Sequence, residues 1–164
     1  MARSSATEER DSRWDAYRAA IVRVRLSGGL VDVAPSVAPH GSMAFPFPPD
    51  AVVHIVTAHD SAVVGAPGGV AANESRNAAL LTDLEALGVE WHPAVGADPE
   101  WTHREASFAV VGLTLEQALE LGRRYEQDAI FEWAAEWWRL VDCRTGAAHS
   151  SRWIASVVDV GGSA

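Results

Sequence analysis

The feature that most constrains this sequence is the order in which its apolar patterns change period between Ala51 and Trp133. Ala51–Thr57 is a nearly continuous apolar run, interrupted only by His54, and suits a central strand covered on both faces. A glycine-rich loop follows over Ser61–Ala72. Asn73 then opens a helix whose Leu80, Leu81, Leu84 and Leu87 form one stripe, stopped by Gly88 where a left-handed residue is favoured. Val89–Val95 reads as a strand, Gly96–Thr102 as a turn-rich connector, and Ala106–Leu113 as the next strand. Thr114 and Gln117 make a capping-box pattern at the head of a second helix with Leu115, Ala118, Leu119, Gly122 and Tyr125 inward. Ala129–Trp133 closes the series as a strand. Strand, helix, strand, strand, helix, strand is the split βαβ order of ferredoxin-like folds. The expected class is therefore α+β, with a ferredoxin-like core: an antiparallel sheet carrying both helices on one face.

The flanks extend that core. Thr7–Ala20 suits a short helix with Trp14 and Tyr17 on one side, and Ile21–Leu26 alternates as a half-buried strand does. Ser27-Gly28-Gly29 turns the chain and Leu30–Val33 returns, giving a hairpin. Pro35, Pro39, Pro46, Pro48 and Pro49 deny both helix and central strand to the next stretch. It reads as a long surface connection, with Phe45 and Phe47 tucked against the body. Trp137–Cys143 is taken as a strand for its aromatic and branched residues, although Trp133, Trp137, Leu140 and Val141 also fit a helical stripe. Arg152–Val160 adds an edge strand. A length of 164 residues suits one domain over 1–164, with its core at about 51–143 and flexible ends at 1–6 and 161–164.

Composition removes several classes of function. The chain has a formal net charge of −9, and all 13 of its basic residues are arginine. Without lysine there is no Schiff-base chemistry, no lysine nucleophile and no phosphate-binding P-loop lysine. An acidic chain with no tight arginine cluster is a poor match for nucleic acid, which needs a cationic face. No run of apolar residues is long enough to span a bilayer, and the polar start excludes a secretory signal. Cys143 is the single cysteine, so no internal disulfide and no Cys-x-x-Cys metal site can form. A soluble, cytoplasmic protein is expected, with Cys143 as buried structure.

Four blocks of residues resemble a bacterial family described only as a domain of unknown function, DUF3293. They are Ile55-Val56-Thr57-Ala58; Asn73-Glu74-Ser75-Arg76-Asn77 leading into Leu80; Trp101 with Glu105 and Ser107; and Gln127-Asp128-Ala129-Ile130-Phe131-Glu132-Trp133. The resemblance runs from about Val53 to Trp133 and rests on the joint order and spacing of the blocks. It departs at one place: Asn-Pro is expected after the first strand, where this chain has His59-Asp60-Ser61. The resemblance implies no activity, but it marks which polar residues recur together.

Those residues define the candidate site. Thr57 and His59 close the first strand, beside the loop and helix start that carry Asn73, Arg76 and Asn77. Backbone amides at a helix N-terminus attract anions, and Arg76 would add a planar fork for carboxylate or phosphate. Asn73 is also a good N-cap, which alone would explain it, and Asn77 lies one turn on along the same side. Glu105 precedes an apolar strand that can neighbour the strand of Thr57, and Gln127 follows the second helix. His59 and Glu105 are the candidates for general acid–base catalysis; Thr57, Asn73, Arg76, Asn77 and Gln127 are the candidates for ligand binding. His59, His92 and His103 with Asp60 and Glu105 could together hold zinc or iron, but their spacing matches no ligand motif, so neither metal nor cofactor is expected. Ser61, Ser107 and Cys143 lack the surroundings of an activated nucleophile. Trp133, Trp137, Trp138 and Trp153 are assigned to core or interface packing ahead of a stacking platform.

Two functional readings stay open. One is a pocket for a small polar or anionic ligand, with or without acid–base catalysis. The other is a protein–protein interaction module, or a homodimer formed through the aromatic C-terminal strands.

Overall fold

The structure, a computed structural model, describes residues 5–38 and 43–160. Its elements run α1 (Ser5–Ala19), β1 (Ile21–Leu26), β2 (Gly29–Ser36), β3 (Val52–Thr57), a short 3-10 turn (Ser61–Val63), α2 (Gly69–Leu87), β4 (Glu90–Ala97), β5 (Arg104–Val111), α3 (Leu115–Arg124), β6 (Ala129–Ala134), β7 (Trp138–Asp142) and β8 (Ala148–Val158). The Pro39-His40-Gly41-Ser42 part of the proline-rich connection and the tails 1–4 and 161–164 lie outside the described residues. Ser5 and Ala6, expected in the flexible tail, belong to α1. Among the described residues no helix is long and apolar enough to cross a membrane.

Local signals set most of the boundaries. The Thr114 side chain accepts from the Gln117 amide and Gln117 reaches back to the Thr114 amide, the reciprocal cap that opens α3. Gly88, at φ 66°, ends α2 in the left-handed conformation that glycine adopts without steric cost. The start of α2 differs from expectation. Its N-cap is Gly68 rather than Asn73, so Asn73 sits in the second turn with its side chain free for another partner.

The sheet corrects the fold class. The eight strands form a closed barrel in the order β1-β2-β8-β7-β6-β3-β5-β4, with β4 pairing back onto β1 and every pair antiparallel. The expected ferredoxin-like sheet, open at its edges, is not formed. The reason lies in the flanks: β1, β2, β7 and β8 do not merely extend a four-stranded sheet but complete a wall around a common interior. Ile21 meets Ala97 on one side of the closure, and Leu30 meets Val158 on another. The expected edge strand at Arg152–Val160 is corrected as well. It begins at Ala148 and is hydrogen-bonded on both sides, to β2 and to β7, which leaves no free edge to template association with another chain.

Closure gives β3, β5, β6 and β7 two apolar faces with different partners. Outward residues Val56, Phe108, Val110, Ile130 and Val141 pack under Leu80 and Leu84 of α2 and Ala118, Leu119 and Leu121 of α3. Inward residues Val22, Val24, Val31, Val33, Val53 and Ile55 fill the barrel with Trp133 and Trp138. This explains why β3 reads as a nearly continuous apolar run. Gly122 lets α3 lie close to the wall, because a Cβ there would stand 2.5 Å from Cys143 Sγ and 3.2 Å from Ile130 Cγ2. Burial, with Asp142 nearby, pushes the Cys143 thiol up to about 12, as suits a packing residue.

The interior is filled unevenly. At the end where β3 begins, Trp133 is ringed edge-to-face by Phe45, Phe47 and Trp153 at centroid separations of 5.4, 5.6 and 5.4 Å. Phe45 and Phe47 thus bring the proline-rich connection in as a plug. At the end where β3 finishes, the wall presents small inward residues: Ala94, Gly96, Ser107, Ala109 and Ala129. An eight-stranded barrel is just wide enough for side chains to fill, or for one small ligand. Here the aromatic residues fill one end only.

Two outcomes follow. Gly122→Ala should push α3 off the wall and cost about 2 kcal/mol, measured as a lower urea midpoint with an unchanged slope. The second concerns Asp142, whose carboxylate accepts from the Arg144 and Thr145 amides and from Arg10. Burial opposes its ionisation, but those amides and the Arg10 guanidinium outweigh it and hold the carboxyl below the usual range. A lowered folded-state pKa means that the stabilisation is present above the unfolded value of about 3.9 and lost as pH falls through the folded value. Asp142→Asn should therefore flatten the acid limb of the stability–pH curve measured by thermal melting.

Candidate functional site

The unfilled end of the barrel is a cavity of 280 Å³. Its floor is apolar: Val22, Ile55, Ala129 and Phe131. Its rim is polar, and the polar groups arrive on neighbouring strands because strand parity sends them the same way. Thr57 of β3 stands opposite Ser107 of β5, and Glu105, two residues earlier, stands opposite Gly96 of β4. Ser61, His103 and Gln127 complete the rim, with Arg13 and Tyr17 of α1 across the mouth.

Helix α1 covers this mouth with no side chain fully buried, Trp14 and Tyr17 being half-buried. It is tied down by charge: Arg10 to Asp142 at 2.7 Å, Arg13 to Asp128 at 2.9 Å, and Tyr17 Oη to Asp128 at 3.5 Å. Burial, with the Asp128 and Glu105 carboxylates nearby, pushes the Tyr17 phenol up to about 12, so it faces the cavity as a neutral hydroxyl.

Beside the mouth, the segment Ala58-His59-Asp60 is held by its backbone. The Ala58 carbonyl accepts from Arg76 Nε at 2.6 Å. The His59 amide donates to Thr57 Oγ1 at 3.0 Å, and the His59 carbonyl accepts from Gln127 Nε2 at 2.8 Å. Asn73 takes both polar groups of Asp60, accepting from its amide at 2.7 Å and donating to its carbonyl at 3.2 Å. Arg76 and Gln127 also both donate to the Tyr125 carbonyl, which ties the strand end to the end of α3. The Asp60 carboxylate caps the 3-10 turn through the Ala62 amide. A segment with so many of its groups paired has little freedom, and that fixes where the His59 side chain leaves the backbone.

That ring stands beside the His103 ring and the Glu105 carboxylate. His59 and His103 stand edge-to-face at 5.9 Å, and His103 Nε2 is 2.9 Å from Glu105 Oε1. Ser61 Oγ lies 3.4 Å from the same carboxylate oxygen. His59 Nε2 is shielded from solvent and has no hydrogen-bond partner. His103 is placed by the β4–β5 loop, where the Asp98 carboxylate accepts from the His103 amide at 2.8 Å and from the Thr102 hydroxyl.

The candidate residues therefore divide. Thr57, Glu105 and Gln127 line the barrel mouth. His59, Asn73 and Asn77 line an adjoining groove of 620 Å³ between α2 and the β4–β5 loop, where Asn77 Oδ1 is buried without a partner. Arg76 lines neither, its guanidinium being engaged with the Ala58 and Tyr125 carbonyls and within 3.5 Å of Glu126. His103, weighed in the sequence as a metal ligand and set aside for want of a motif, lines both cavities; Ser61 and Ser107, set aside as nucleophiles, and Tyr17, not a candidate there, line the mouth. The i, i+2 spacing of His103, Glu105 and Ser107 is the signal that puts the three on one face of the strand. Tyr17 had none, since its place depends on where α1 docks. His54 faces outward, buried and 3.0 Å from Glu132, with its Nδ1 unpartnered, and Arg139 stands 3.7 Å from the same carboxylate.

The fold and its mouth define a closed antiparallel barrel with one end filled and one end left as a polar-rimmed cavity. Within it, the family described as protein of unknown function (DUF3293) matches residues 65–130, and the chain resembles that family over this stretch. The match takes in Asn73, Arg76, Asn77, Glu105 and Gln127, while Thr57 and His59 precede it. No curated protein and no solved structure matches the chain.

The clamp makes a specific expectation. Asn73→Ala removes both partners of Asp60, so amide exchange at Asp60 should quicken about tenfold while the amides of β3 that pair with β5 keep their protection, read by hydrogen–deuterium exchange.

Proposed function

We propose that the protein binds one small polar molecule in the mouth of the barrel, beneath α1. The observation that carries this reading is the uneven filling of the interior: small residues at one end of the strands leave a cavity with an apolar floor and convergent hydroxyl, amide and carboxylate groups. A void of that make-up is a poor structural element by itself, because unfilled interior volume costs stability.

Its chemistry favours a ligand rich in hydrogen-bond donors, such as a hydroxyl- or amine-bearing metabolite. Glu105 and Asp98 line the cavity, and its one arginine, Arg13, is already paired with Asp128. Glu105 lines the cavity with His103 and Ser61 beside one of its carboxylate oxygens, so it is placed to accept a proton from a bound hydroxyl or amine. Tyr17 and Gln127 would orient the molecule from the other side.

The test is a thermal-shift screen of donor-bearing metabolites against the wild type and Gly96→Leu. A Cβ at Gly96 has room, its nearest neighbour being Ser107 Oγ at 3.9 Å, so the longer side chain extends into the cavity without moving the backbone. A true ligand at about a hundred times its Kd stabilises the wild type by about 2.7 kcal/mol and leaves Gly96→Leu unmoved. An equal shift in both proteins, or none in either, would overturn the reading.

A further inference from the structure

We infer that His59, His103 and Glu105 form a mononuclear metal site, suited first to zinc. One ligand atom from each of the three residues lies within 4.8 Å of the others. The edge of a coordination tetrahedron with bonds of about 2.0–2.1 Å is about 3.3 Å, so His103 Nε2 and Glu105 Oε1, 2.9 Å apart, already stand near ligand spacing. The His59 nitrogen, within 4.8 Å of both, would have to draw closer to complete the third side.

Three further features point the same way. His59 Nε2 is shielded from water with no partner, an unfavourable state for an imidazole nitrogen that a cation relieves. The residues that aim it are not free to relax: Thr57, Asn73, Arg76 and Gln127 bond the backbone on both sides of His59, and Asp98 fixes the amide of His103. A first shell held by a supporting shell is how ligand atoms are kept in place before the metal arrives. Finally, Glu105 and Asp98 make the local charge negative.

The donor set selects the ion. Two imidazoles and one carboxylate suit zinc, or iron as the alternative transition metal, and are wrong for magnesium and calcium, which take oxygen ligands. Three protein ligands leave a coordination position open. It faces the space shared by the barrel mouth and the neighbouring groove, since His103 lines both. The inference goes beyond the ligand reading, because the three ligand atoms define the site whether or not the mouth holds an organic molecule.

The experiment uses the full chain, freed of metal with chelator and dialysed. Calorimetric titration with zinc should show one equivalent bound, and cobalt should give the visible absorption of a four- or five-coordinate nitrogen and oxygen site. His59→Ala and His103→Ala should each weaken zinc at least tenfold, and Glu105→Gln, which keeps its shape, should do the same with an unchanged far-ultraviolet spectrum. His92→Ala and His149→Ala, which alter histidines away from the cluster, should bind as the wild type does. The inference fails if the wild type takes up no zinc or cobalt. It also fails if His59→Ala and His103→Ala both retain wild-type affinity, which would put the metal elsewhere. A metal-free protein that still responds to metabolites would leave the cavity reading intact while a failed zinc titration removes this one.

Discussion

The antiparallel pairing of β1 with β4 is the contact on which the remainder depends. It turns a row of strands into a closed wall, so that every strand has hydrogen-bonded neighbours on both sides and the sheet has no edge. Closure also creates an inside. Once there is an inside, side-chain volume along each strand decides what the protein can hold: Trp133, Trp138 and the plug of Phe45 and Phe47 close one end, and Gly96, Ser107, Ala109 and Ala129 leave the other unfilled. Whereas α1 covers the open mouth, helices α2 and α3 have no part in that partition. They cover the outer face of β3, β5 and β6, and Gly122 sets how near α3 can come.

At the open end, the structure separates two kinds of polar residue that look alike in sequence. Asn73, Arg76 and Gln127 use their side chains on the backbone around His59, making the strand end rigid. Glu105, His103, Ser61 and Tyr17 carry their polar atoms toward the cavity or its rim. The family resemblance spans residues from both groups. A recurring polar block can therefore reflect the framework of a site as much as its contact surface.

The limits of the sequence reading follow from the same physics. Apolar runs and alternation located most of the strands, and aromatic and branched residues located β6 and β7, where a helical stripe through Trp133, Trp137, Leu140 and Val141 competed. Caps located the ends of helices where the cap residue had no other demand on it, as at Thr114 and Gly88. Asn73 was misread as a cap because its amide serves Asp60 instead, and Gly68 takes the turn. Closure was illegible for a different reason. Alternation says which face of a strand is apolar, but not which distant strand lies beside it, and the pairs that close the barrel join segments remote in sequence. The same limit explains the site. Thr57 and Glu105 could be placed together because β3 and β5 belong to one local unit, whereas Tyr17 comes from a helix whose position is set by Asp128 and Asp142.

The way α1 is fastened makes it responsive to salt. A helix with no fully buried side chain, its Trp14 and Tyr17 only half-buried, has limited hydrophobic attachment to the rim, and the ion pairs of Arg10 and Arg13 add to the hold. Exposed ion pairs are individually weak and are screened by salt, whereas packing is not. The hold of α1 over the barrel mouth is thus sensitive to ionic strength: firm in dilute buffer, looser as counterions compete for Asp128 and Asp142. The barrel wall itself, held by backbone pairing and buried aromatic rings, is indifferent to the same change.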